Sequence, residues 1–218
     1  MKRGPTALTV ATALACLSAG SASEVPRGTL TLETLMHHMS TTSGVRAEFH
    51  EVKEIALLER PLECDGTLYF IPPARMARIT RAPGATRLVI DGPRMSYRDA
   101  TGGNKVDLSS NRVARTIVEN FVVLFNGDLG ALHEHYNVGF EADGARWRMT
   151  LLPKGPPVSQ LLASIELRGD GPALQQMVVL EKEGDRTTTR FHDVVTDIRF
   201  SPEELSRIYL EGPPAKVP

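Results

Sequence analysis

The chain has 218 residues, 41% hydrophobic and 23% charged, which suits one domain with a sizeable core. Its 25 Lys and Arg against 26 Asp and Glu give a formal charge of −1, a balance that argues against a nucleic-acid binder. Two cysteines, Cys16 and Cys64, are too few for a disulfide-stapled scaffold.

Residues 1–23 have the three-part plan of an export signal: Lys2 and Arg3, an apolar run over 7–19, and small residues over 20–23. The run is shorter than the roughly 20 residues that span a bilayer. The expectation is a soluble, exported protein cleaved between Gly20 and Glu24. The alternative is that "ALAC" over 13–16 acts as a lipobox and leaves Cys16 lipidated, although Ala13 stands where leucine is usual. Cleavage removes Lys2 and Arg3 and moves the net charge from −1 to −3. It also leaves Cys64 without a disulfide partner, flanked by Glu63 and Asp65, which disfavour a thiolate. Cys64 therefore reads as a buried strand thiol. One domain is expected over 24–210, followed by a disordered tail over 211–218.

The first expected element is a helix over 31–42, because Leu32, Leu35, Met36 and Met39 fall at helical spacing behind Thr31 as N-cap. Strands follow over 45–53, 66–71, 75–80, 87–91 and 94–98, separated by "DGP" and "ATGGN" turns in the manner of an antiparallel meander. Pro72 and Pro73 cannot donate to a ladder and mark a strand end or corner. The strand over 66–71 is apolar on both faces, Leu68 and Phe70 on one, Tyr69 and Ile71 on the other. Such a sheet needs cover on both sides, or a ligand on one.

The period then changes. Val113, Ile117, Phe121 and Leu124 share one face of a helix expected over 112–135, and Val118, Val122 and Phe125 make that face wider than an ordinary amphipathic stripe. Strands resume over 136–141, 146–152 (Trp147, Met149 and Leu151 inward), 164–168, 176–181, 187–196 and 198–200. "SPEEL" closes the fold with a helical turn capped by Ser201, with Pro202 at its first position.

Chemistry-bearing patterns are scarce. The sequence has no Gly-x-Ser-x-Gly elbow, Walker loop, dinucleotide-binding glycine pattern or zincin helix, so no catalytic residue is assigned. His37 and His38 diverge by about 100° on a helix, and His133 and His135 find no companion ligands nearby, so neither metal nor cofactor is expected. Residues 71–115 are rich in arginine. Those side chains either blunt a solvent-facing sheet or meet anionic groups at a cavity mouth.

In their order and spacing, "VRAEFHEVK", "GTLYFIPPARM", "LVIDGPRMSY" and "YNVGFEADGARWRMTLLPK" resemble the LolA family of periplasmic outer-membrane lipoprotein carriers and its LolA-like relatives. The resemblance implies a mainly β fold, an incomplete antiparallel β-barrel covered by a helical lid formed by helices 31–42 and 112–135. It implies an apolar cavity that receives acyl chains of a lipoprotein or lipid, lined by Phe49, Leu68, Phe70, Met76, Leu88, Ile90, Ile117, Phe121, Trp147 and Met149. It also implies a monomeric carrier that takes cargo from an inner-membrane donor transporter to an outer-membrane acceptor. The chain departs from the family in two places. Pro72 stands where a lid-latching arginine is found, and Met76 and Arg78 replace inward aromatics. Arg78 then needs an internal carboxylate, a wet position, or an anionic head group. The other readings left open are a lipid-sensing or interaction domain of this fold, and an enzyme without a recognisable motif.

Overall fold

The computed structural model describes residues 29–209, so the expected export signal over 1–23, with Cys16, and the tail over 211–218 lie outside the described residues. The elements in chain order are α1 (Leu32–Thr41), β1 (Val45–Glu54), β2 (Leu62–Ile71), β3 (Arg75–Ala82), β4 (Thr86–Asp91), β5 (Arg94–Asp99) and β6 (Gly102–Asp107). They continue with α2 (Arg112–Asn126), α3 (Leu129–His135), β7 (Tyr136–Asp143), β8 (Arg146–Pro153), α4 (Val158–Leu161), β9 (Leu162–Asp170), β10 (Ala173–Glu181), β11 (Arg186–Thr196) and α5 (Pro202–Tyr209). Among the described residues no helix is long and apolar enough to cross a membrane.

All eleven strands form one antiparallel sheet in the order β6-β5-β4-β3-β2-β1-β11-β10-β9-β8-β7. Strands pair with their sequence neighbours except at the middle, where the first meets the last. The sheet is not closed: β6 and β7 are its two edges. The chain passes from one edge to the other through α2 and α3, so the topology itself carries helices across the opening.

Local chemistry explains the joints. Pro72 and Pro73 fall in the turn of the β2–β3 hairpin, whose last pair is Ile71 with Arg75. On the inner face Gly66 lies under the Phe49 ring, and a Cβ there would sit 2.6 Å from ring atoms and 2.2 Å from the Ile79 carbonyl oxygen. A side chain at this position would push the ring out of the core. On the outer face Tyr69, Ala77 and Val89 are covered by Phe200, Ile208 and Tyr209, so α5 and the segment before it supply the second cover that the sheet requires.

Four expectations are corrected. The helix expected over 112–135 is two helices, because Gly127 takes a left-handed φ of +67° and Asp128 then accepts from the Ala131 N–H as the N-cap of α3. The turn expected over 100–104 ends early, because strand β6, which was not expected, begins inside it at Gly102. The Asp99 carboxylate accepts from the N–H groups of Thr101 and Gly102 and closes the hairpin there. Residues 198–200 form no strand. Asp197, at φ +65°, turns the chain away, the Ile198 N–H donates to the Gly44 carbonyl, and Phe200 meets Tyr69 edge-on at 5.9 Å. The short α4 was not anticipated.

Three arginines of the arginine-rich segment are taken up on the outer face. Arg81 donates to Glu48 at 2.7 Å, Arg75 lies 4.3 Å from the Tyr209 ring centroid, and Arg87 donates to the carbonyls of Arg207 and Ile208. Burial alone would raise the Glu48 carboxyl, but hydrogen bonds from Arg81, Arg46 and Thr67 outweigh it and hold the group below the ordinary carboxylate range. Arg75 and Arg87 fasten the cover, and Arg81 ties β3 to β1 across the sheet.

Candidate functional site

The larger part of the core lies where α1 and α3 pack on β7–β11, around Leu35, Met36, Leu132, Met149, Leu151, Ile165 and Leu167. The other half of the sheet is thinner. There Phe70, Met76 and Ile90 meet Val122 of α2, and a cavity of about 290 Å³ remains beside them. Its walls are Phe49, Leu68, Met76, Leu88, Ile90, Met95, Met177 and Phe191 from the strands, and Ile117, Val118, Phe121 and Phe125 from α2. The strand contributors alternate in sequence because successive side chains point to opposite faces. Asn111 caps α2 by accepting from the Ala114 N–H, which fixes the end from which the helix runs over the opening.

Seven of the ten expected lining residues share this cavity: Phe49, Leu68, Met76, Leu88, Ile90, Ile117 and Phe121. Phe70 lines a second space of about 180 Å³ under the end of α1, bounded also by Met39, Val45, Ala47, Leu174 and Val194. Leu68, Phe125 and Phe191 touch both spaces and form the partition between them. Trp147 and Met149 line neither. They sit on β8 in the well-filled half, where Trp147 Nε1 donates to the Gly171 carbonyl and Met149 is fully buried. Inward direction was read correctly for them, but in that half the inward space is occupied by α1 and α3. Val113 is 58% exposed and lies off the apolar face expected of it.

The expected lining left out Met95, Val118, Phe125, Met177, Phe191, Glu51 and Thr189. The alternation "TTTRFHD" carried a signal for Thr189 and Phe191 on one face, and Glu51 follows Phe49 by two residues.

Arg78 finds an internal carboxylate. Its Nη2 donates to Glu51 at 2.8 Å and to Cys64 Sγ at 3.3 Å, and its guanidinium carbon lies 4.5 Å from the Phe49 ring centroid. The other Glu51 oxygen accepts from the Thr189 hydroxyl at 2.9 Å. Cys64 is half-buried; burial pushes its thiol up, Arg78 works against this, and Glu51 adds to it. Glu51, Arg78 and Thr189 are the polar members of the wall and form one bonded group, in the row of the sheet next to Phe49 and Phe191. Such a space can hold an apolar chain and present hydrogen-bonding groups to whatever that chain is attached to.

No curated protein sequence matches this chain. Among solved structures, it superposes on a LolA superfamily protein from Nitrosomonas europaea with a TM-score of 0.45 at 8% identity, covering 81% of this chain and 97% of that one. A DUF1329 family protein from Desulfovibrio piger gives a TM-score of 0.47 at 14% identity, over 82% and 95% of the two chains. The MucA/MucB complex of Pseudomonas aeruginosa gives 0.44 at 12% identity, over 78% of this chain and 57% of that one. The family model described as outer membrane lipoprotein carrier protein LolA-like matches residues 24–202, nearly the whole described fold, and the chain belongs to that family.

Proposed function

We propose that this protein is a periplasmic carrier that takes acyl chains of a lipoprotein or lipid into the cavity under α2. It receives them from an inner-membrane donor transporter and releases them to an outer-membrane acceptor. The export-type start of the sequence supports the compartment, and family membership supports the cargo class. The observation that carries the reading is the cavity itself. Its volume of about 290 Å³ is close to the small end of the roughly 300–1,000 Å³ of ligand pockets, and its walls are almost wholly aliphatic, aromatic and thioether groups. Each methylene moved from water into such a space contributes about 0.8 kcal/mol, which drives uptake without any covalent step. Ile117 and Phe121 on α2 face the cargo, while Val122 and Leu124 hold the helix to the sheet.

The test is titration of the mature protein with an uncharged fluorescent acyl probe. Saturable binding is expected, weakened at least about tenfold by Phe121→Asp, which places a carboxylate in the apolar wall. Circular dichroism establishes that the variant is folded. Absence of binding to any acyl compound would overturn the reading. Transfer of a labelled lipid from donor to acceptor vesicles separates a carrier from a domain that only senses lipid.

A further inference from the structure

The charge inside the cavity is already balanced, and this bears on what accompanies the acyl chain. Arg78 is the cation of the wall and Glu51 its anion, joined at 2.8 Å, with Thr189 on the second carboxylate oxygen. A carboxylate or phosphate entering beside Arg78 would have to displace Glu51 or sit next to it. An ammonium group would meet Arg78 in the same way. The Arg78 and Glu51 side chains are 32% and 16% exposed, so water screens such like-charge contacts only in part and they remain costly. An uncharged group with both donors and acceptors meets no such penalty: it can bond to the outer side of the pair without breaking it.

Resting on the carrier reading above, we propose that the Glu51–Arg78 pair makes this cavity selective for acyl chains attached to an uncharged hydrogen-bonding group, such as an ester, amide or glycerol hydroxyl. Free fatty-acid anions and alkylammonium ions are selected against. The pair acts as a filter made of two opposite charges. Removing one member changes the sign of what is admitted, without altering the apolar walls that hold the chain.

Displacement of the fluorescent probe by three ligands of equal chain length tests this at about pH 8, where the acid and the amine are both ionised. Wild type is expected to bind dodecanoylglycerol at least about tenfold more tightly than dodecanoate or dodecylammonium. Glu51→Gln should tighten dodecanoate about tenfold, and Arg78→Gln should tighten dodecylammonium by a similar factor. Dodecanoylglycerol, which bonds to the pair, should weaken by a few-fold in both variants, opposite in direction to the gain of the charged ligand. A purely structural role for the pair would shift all three ligands together, and that result overturns the proposal. So does a wild type that binds dodecanoate as well as the glycerol ester, a comparison that decides the matter even where a variant fails to fold. If none of the three displaces the probe and the probe itself does not bind, the carrier reading falls, and the filter with it.

Discussion

Tyr136 shows how a single buried hydroxyl joins two elements and sets a pH limit. Its O–H donates to the Asn120 carbonyl at 3.1 Å, tying the start of β7 to α2, and burial pushes the phenol from 10.0 up to about 12. Burial likewise pushes Tyr209, in the outer cover, up to about 12. The folded state thus keeps both protons where the unfolded chain releases them. Stability is fully present below about pH 10 and is lost as pH rises toward about 12. Denaturant midpoints measured through this window should fall, and Tyr136→Phe, which cannot ionise, should flatten the fall. At neutral pH the same variant should cost about 0.5–1.5 kcal/mol for the lost hydrogen bond. At this scale the alternation of apolar residues made Phe49, Leu68, Met76 and Ile90 legible as inward-facing. The partner of Arg78 was not legible, because Glu51 lies 27 residues away and only the β1–β2–β3 register brings the two together.

At the scale of elements, the joint between α2 and α3 sets where the lid ends. Gly127 adopts φ +67°, and a Cβ there would lie 2.2 Å from the Met36 carbonyl oxygen and 2.4 Å from the Ser40 nitrogen, so α1 also crosses close against this turn. Gly127→Ala is expected to lose about 1–3 kcal/mol by combining a left-handed backbone with overpacking, read as a lower denaturant midpoint. Asp128→Ala removes the N-cap of α3 and should cost about 1 kcal/mol in the same assay. Helical periodicity ran through this joint unbroken, because apolar residues continue on both sides of it. The turn was written in "NGD" over 126–128, a C-terminal glycine followed by an N-cap. The end of the chain was read more closely. The Ser201 hydroxyl accepts from the Glu204 N–H while the Glu204 carboxylate accepts from the Ser201 N–H, a reciprocal cap legible in "SPEE".

At the scale of the molecule, the two halves of the sheet differ in how completely they are filled. α1 and α3 occupy the half around β7–β11, and α2 spans most of the half around β1–β5, where the cavity remains. An acyl chain bound as proposed would supply the missing contacts and so link cargo to fold. At about 100 times its dissociation constant, a ligand that binds only the folded state should raise the unfolding free energy by about 2.7 kcal/mol. Thermal or denaturant unfolding with and without dodecanoylglycerol should show this increment in wild type and lose it in Phe121→Asp. Most of the strands, the helices near both ends, the absence of known catalytic patterns and the family resemblance were determined by the sequence alone. Each depends on spacing within a few residues or on the order of short motifs along the chain. Only the tertiary structure decided that Trp147 and Met149 are core while Met76 and Phe121 border a cavity. Inward direction is a local property of a strand or helix, but whether the inward space is filled depends on which helices the chain lays across it. The same holds for the pairing of Arg78 with Glu51, since a charge's partner is chosen by strand register, and register is a property of the assembled sheet.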